Sequence, residues 1–126
     1  MEHPPHVLVI EDDDDVLDLL DGHLTRLGCR VSRATDGEQG VATAVAERPD
    51  VIFVDMVLPG IDGREVADRL RGDTRTADCK IVVTSVLDPQ DVDDKRFDGI
   101  LTKPFRRADI RTALTTVDVA IPEVSP

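Results

Sequence analysis

Cationic residues are in short supply in this 126-residue chain: 15 Lys and Arg stand against 26 Asp and Glu, for a formal net charge of −11. That balance argues against a surface for duplex nucleic acid, because phosphate contacts need clustered Lys and Arg. Arg106 and Arg107 with Arg111 form the best basic patch, and it reads as a solvated helix face. Cysteine is equally scarce. Cys29 and Cys79 have neither CxxC spacing nor a nearby His, so they read as reduced structural thiols and not as a metal or redox site. His3, His6 and His23 form no ligand or catalytic cluster in the sequence. No apolar run approaches the roughly 18 residues of a membrane span, and the first six residues lack the basic and apolar regions of a signal peptide. The expectation is a cytoplasmic protein with no membrane partner.

What is present is a globular composition of a size that supports one domain with its own core. With 40% hydrophobic residues there is enough apolar surface to bury, and 33% charged residues can cover the outside. Short runs of β-branched and apolar residues alternate with longer segments of helical period, and Gly, Pro or Asp separates them. Strands are predicted at residues 7–10, 29–34, 51–54, 80–84 and 98–102. The first helix carries Val16, Leu19, Leu20, Leu24 and Leu27 inward and stops at Gly28. Further helices are predicted at residues 37–47 (Val41, Ala44 and Val45 inward), 62–71 (Val66, Ala67 and Leu70) and 107–117 (Ile110, Ala113, Leu114 and Val117). Residues 88–97 could start a fourth of five helices at Pro89 but have few apolar positions, which predicts a short or poorly ordered one. Residues 118–126 read as a C-terminal tail in coil.

Strands that are apolar throughout, instead of alternating, mark a parallel sheet covered on both faces. The predicted fold is therefore a doubly wound α/β domain with a five-stranded parallel sheet and helices on both faces. In such sheets the site lies outside the carboxyl ends of the strands, where the winding reverses. Four strands here end in chemistry: Val7 to Ile10 in Glu11 and Asp12, Val51 to Val54 in Asp55, Ile81 to Val83 in Thr84 and Ser85, and Gly99 to Thr102 in Lys103.

If Glu11, Asp12 and Asp55 meet, three carboxylates at close range require a raised pKa or a cation. Lys103 alone leaves excess negative charge. A hard divalent ion, Mg²⁺ in a cell, suits such oxygen ligands and keeps positions for water and a phosphate oxygen. With the metal and Lys103 taking up charge, an Asp55 oxygen could attack phosphorus in line and become an aspartyl phosphate. The Thr84 hydroxyl could donate to a phosphoryl oxygen and be drawn inward by it. Taken singly these residues have plainer readings: Thr84 as a half-buried strand residue, and Asp13 to Asp15 as an acidic first turn with Asp14 or Asp15 as its N-cap.

The segments VLVIEDDDD, PDVIFVDMVLPGIDG, IVVTS and LTKPF together resemble the response-regulator receiver domain of two-component signalling. The resemblance covers about residues 6 to 117 and implies a single domain of flavodoxin-like receiver fold. It implies that Asp55 is phosphorylated, that Asp12 binds Mg²⁺ directly and Glu11 through water, and that the Val57 backbone carbonyl is a further ligand. Thr84 becomes the switch hydroxyl, Lys103 the partner of the acids or the phosphoryl group, and the Lys103–Pro104 bond cis. The implied donor is a histidine kinase or histidine phosphotransfer protein, and the implied output is altered binding to a downstream protein.

Two departures stand out. Ile100 occupies the switch position, three before the lysine, where such domains usually carry an aromatic, and the chain has no Tyr or Trp. The stretch from Thr84 to Lys103 is shorter than usual and lacks the customary Gly-Ala. Both changes fall on the face that in this family carries dimerisation and output. A second reading is thus a receiver-like interaction module whose output needs no phosphorylation, and a relay intermediate is a third. A phosphohydrolase of the dehalogenase type would need D-x-D-x-T after the first strand; Asp12-Asp13-Asp14 supplies D-x-D, but Val16 stands where the Thr belongs.

Overall fold

The computed structural model describes residues 3–87, 90, 92 and 94–122. Its elements follow in the order β1 (His6–Ile10), α1 (Asp14–Arg26), β2 (Arg30–Ala34), α2 (Gly37–Glu47), β3 (Val51–Asp55), α3 (Gly63–Arg71), β4 (Lys80–Ser85), β5 (Gly99–Thr102) and α4 (Arg107–Thr116). All pairings are parallel, and the strand order is β2-β1-β3-β4-β5. The winding therefore reverses between β1 and β3, which puts the carboxyl ends of these two strands at the crevice.

Side chains alternate across each strand, so successive apolar residues enter different cores. Val7, Val9, Val51, Phe53 and Val82 pack with Leu17, Leu20 and Leu24 of α1 and Ile110 and Leu114 of α4. Leu8, Ile10, Ile52, Val54 and Ile81 face the other way, against Ala44 of α2 and Val66, Ala67 and Leu70 of α3. This two-sided burial explains the unbroken apolar runs. Each fully buried Leu or Ile contributes about 1.5–3 kcal/mol, enough that polar substitution on either face would be severe.

Two details of α1 differ from the sequence expectation. Asp13 is its N-cap, not Asp14 or Asp15: the Asp13 carboxylate accepts from the backbone N–H of Asp15 and Val16. The inward face runs through Leu17, Leu20, Leu24 and Leu27, while Val16 is half-buried and Leu19 is exposed. Leu20, Leu24 and Leu27 satisfy both phases, so only the first turn could have separated them. In α2, similarly, Ala44 is buried while Val41 and Val45 lie at the margin.

Among the described residues no α-helix lies between β4 and β5, and Gln90 alone has 3-10 geometry; Asp88 and Pro89, the expected helix start, fall outside the described residues. The connection is fastened by charge. The Arg71 guanidinium donates to the carbonyls of Ala77, Cys79 and Arg96 and pairs with Asp98 at 2.7 Å. Arg96 joins Asp94 at 2.6 Å and Asp68 of α3 at 2.8 Å. Beneath them Val92 is buried against Met56 and Val83, with Phe97 and Ile100 alongside.

The tail has no regular structure as far as Pro122, yet it is not loose: Val119 and Ile121 pack against the α1/α4 core. Both cysteines are free thiols, and burial pushes Cys29 up to about 11, as expected of an inert structural residue. His6 is buried with its Nε2 atom 2.7 Å from the Ser32 hydroxyl, which donates to Glu47. Among the described residues no helix is long and apolar enough to cross a membrane.

Candidate functional site

The reversal of winding brings the predicted strand ends together. Asp55 closes β3 and pairs in register with Thr84 on β4, and the Met56 N–H donates to the Thr84 carbonyl at 3.0 Å. Glu11 follows β1 directly and is 1% exposed; Asp12 beside it faces solvent. Lys103 follows β5, anchored by its N–H to the Ser85 carbonyl at 2.7 Å and followed by a cis peptide bond to Pro104.

From that position the Lys103 ammonium reaches both buried acids, 3.1 Å to Asp55 Oδ2 and 3.2 Å to Glu11 Oε1. The remaining oxygens are held from the backbone. The Val57 N–H donates to Asp55 Oδ1, and the Asp13 N–H to Glu11 Oε2, each at 3.2 Å. Burial opposes the Lys103 charge, but hydrogen bonds and attraction to Asp55 and Glu11 outweigh it and raise the lysine above its ordinary value. Glu11 is pushed up to about 7, chiefly by burial, with a further upward push from Asp55; the Asp13 N–H and Lys103 pull the other way.

A raised Glu11 has a consequence for the metal-free protein. The folded state binds this proton more tightly than the unfolded chain, so its contribution to stability is present below the unfolded value of 4.5 and is lost as pH rises through about 7. Between those pH values the Glu11 contribution to stability should fall with rising pH by the equivalent of about 1–3 kcal/mol, against an opposite trend from His6 and His23, both lowered chiefly by burial, so the difference in unfolding midpoints between wild type and Glu11→Gln isolates it. A slope unchanged in the variant would show that another group titrates.

Glu11, Asp12 and Asp55 offer carboxylate oxygens that lie within 4.8 Å of one another, close enough to share a cation. The Thr84 hydroxyl is buried and, among the described residues, has no hydrogen-bond partner. An unsatisfied buried hydroxyl costs roughly 1–3 kcal/mol, so its presence here calls for a reason. A cation on the acids and an anionic oxygen facing Thr84 satisfy both groups at once. Hard oxygen donors of this kind fit Mg²⁺. Val57 is 75% exposed, leaving the mouth open.

Ile100, expected at the switch position, is in register with Val83 and joins the cluster of Met56, Val83, Val92 and Phe97. Arg106, Arg107 and Arg111 stay outside the site. Gly63 closes the segment PDVIFVDMVLPGIDG and opens α3. Its N–H donates to the Met56 carbonyl at 3.0 Å, so it belongs to the site's support.

A doubly wound sheet with acids, a hydroxyl and a lysine at its switch point defines a phosphoacceptor signalling domain. The chain belongs to the response regulator receiver domain family, whose model matches residues 7–115. Family members take phosphoryl groups from histidine kinases. The DNA-binding dual master transcriptional regulator RpaA of Synechocystis sp. is 41% identical over 105 residues, covering 80% of this chain and 44% of that protein. PrrA of Mycobacterium tuberculosis, a transcriptional regulatory protein, is 35% identical over 108 residues, covering 84% and 46%. The chain thus spans less than half the length of these curated relatives. Among solved structures, the receiver domain of the sensor histidine kinase PA1611 from Pseudomonas aeruginosa, with magnesium coordinated in its active-site cleft, superposes with a TM-score of 0.79 at 25% identity. That match covers 92% of this chain and 99% of the other. Chemotaxis response regulator CheY4 of Vibrio cholerae shares the fold, with a TM-score of 0.86 at 24% identity over 91% and 99% of the two chains.

Proposed function

We propose that residues 6–117 act as one phosphoacceptor unit in which Asp55 takes a phosphoryl group from the phosphohistidine of a histidine kinase or histidine phosphotransfer protein. The observation that carries this reading is the buried Thr84 hydroxyl, without a hydrogen-bond partner among the described residues and in register with Asp55, whose Oδ2 is held by Lys103. An Asp55 oxygen forms the new bond to phosphorus while the phosphorus–nitrogen bond of the donor breaks; the imidazole nitrogen keeps that electron pair and takes a proton from water. Lys103 turns from its carboxylate partners to the phosphoryl oxygens, and Thr84 donates to one of them. Asp12, Asp55 and the Val57 carbonyl, with Glu11 beside them, would hold Mg²⁺, which would supply charge neutralisation when bound.

On this reading the domain is a cytoplasmic carrier and switch, not a turnover enzyme, and its output is altered binding to a downstream protein. The net charge of −11 of the 126-residue chain supports protein partners over nucleic acid. Passing the phosphoryl group onward as a relay intermediate uses the same chemistry. A phosphorylation-independent interaction module is favoured by one observation, the placement of Ile100 among Val83, Val92 and Phe97 instead of an aromatic beside Thr84.

Beryllofluoride with Mg²⁺ mimics the phosphorylated state without turnover. It is expected to shift the amide resonances of Thr84, Ser85 and Phe97, because filling the Thr84 hydrogen bond pulls on β4 and on the cluster beneath the β4–β5 connection. Resonances confined to Asp55 and Asp12, with partner binding unaltered in Asp55→Asn, would overturn the switch and leave the interaction module.

A further inference from the structure

We propose that Gly63 is a positioning residue for phosphoryl acceptance, setting the depth at which Asp55 and the proposed metal ligand Val57 stand in the site. The inference rests on the reading of Asp55 as phosphoacceptor. The first residue of α3 lies directly behind the end of β3. A Cβ added at Gly63 would meet the Asp55 carbonyl oxygen at 2.6 Å, the Met56 Cα at 2.9 Å and the Asp55 carbonyl carbon at 3.2 Å. All three are backbone atoms, so no side chain can swing aside.

The contact is also tied from both ends. The Gly63 N–H donates to the Met56 carbonyl at 3.0 Å, closing the turn that carries Val57. Asp62 fixes the helix start by accepting from the Glu65 N–H at 2.9 Å, and Val66, Ala67 and Leu70 hold α3 in the core. Because α3 is held by that burial, a methyl group at position 63 presses on the peptide of Asp55 and Met56. The Asp55 carboxylate, its bond from the Val57 N–H and its distance to Lys103 shift together. Gly60 in the same turn differs, since its φ of +76° calls for glycine on backbone grounds while nothing lies within 4 Å of an added Cβ.

The test is Gly63→Ala in the full chain, read by Mg²⁺ affinity in calorimetry and by the rate of labelling from acetyl phosphate. Displacing the reacting group by even an ångström costs about a hundredfold in rate, and a drop of at least about tenfold in both quantities is expected. Leu114→Ala, which opens a cavity in the α1/α4 core away from the site, serves as the destabilised control and should keep Mg²⁺ affinity within about twofold, as expected for distant positions. Wild-type affinity and rate in Gly63→Ala, or an equal loss in Leu114→Ala, would overturn the proposal. If Gly63→Ala does not fold, Asp62→Ala releases the same first turn; lowered Mg²⁺ affinity then supports the proposal and unchanged affinity overturns it. Failure of the wild-type protein to take label at all would instead defeat the reading of Asp55.

Discussion

Wild-type protein given Mg²⁺ and a small phosphodonor is expected to gain a phosphoryl group, and Asp55→Asn to gain none, with a rate at least about a thousandfold lower, as is usual when a nucleophile is removed. The substitution is close to isosteric. The amide oxygen still accepts from the Val57 N–H, which now meets Asp55 Oδ1 at 3.2 Å, and Lys103 keeps Glu11 at 3.2 Å. The fold should therefore survive, and the loss can be assigned to chemistry. Neither other acid is placed to substitute. Both Glu11 oxygens are engaged, one by Lys103 and one by the Asp13 N–H, and Glu11 is 1% exposed. Asp12 is exposed and points no hydrogen-bonded oxygen at Lys103 among the described contacts. Intact-mass measurement and peptide mapping check the result. Undiminished labelling of Asp55→Asn with the label on Asp12 would sink the assignment and revive a nucleophile after β1, the arrangement of a dehalogenase-type phosphohydrolase.

How much of this was legible in the sequence depended on whether the determining contacts were local. Sheet and site were legible for the same reason: both faces of the central strands β1, β3 and β4 are covered, so their apolar runs end abruptly where the chain leaves the cores, and the residues at those ends stand out. The limits of α2 follow equally well, from Asp36 as N-cap to Arg48, whose left-handed φ of 49° stops the helix before Pro49. The first turn of α1 was ambiguous because Leu20, Leu24 and Leu27 fit two helical phases, and the capping geometry of Asp13 chose between them. The β4–β5 connection was illegible on other grounds. Arg71 meets Asp98 and Arg96 meets Asp68 across long sequence separations, and such ion pairs leave no period along the chain. Gly63 was legible as the end of the segment PDVIFVDMVLPGIDG and as a helix start, but the space it leaves beside the Asp55–Met56 peptide shows only in the fold.

The aspartyl phosphate itself is expected to be long-lived, and the double variant Val57→Asn with Val86→Glu should lose it at least about tenfold faster, since positioning or deprotonating a water contributes 10²–10⁴-fold when fully developed. Asp55 and Thr84 are register partners, and Val57 and Val86 each stand two residues beyond them, so the two valines flank the same opening. They are 75% and 77% exposed, which is unusual for valine and places apolar branches where water must approach phosphorus in line. Neither offers a hydrogen-bond acceptor to orient that water, whereas a carboxamide and a carboxylate would. Val86 also borders Val16, Leu19 and Phe105, extending the apolar rim away from Asp55. Because both side chains are exposed, the replacements should change stability by no more than about 0.5 kcal/mol, and a change in decay can be read as chemistry at the mouth. The measurement is loss of label with time after the donor is removed, at constant Mg²⁺. Decay in the native protein as fast as in the double variant would show that the valines do not control water, and that the lifetime is set by Lys103 and the metal alone.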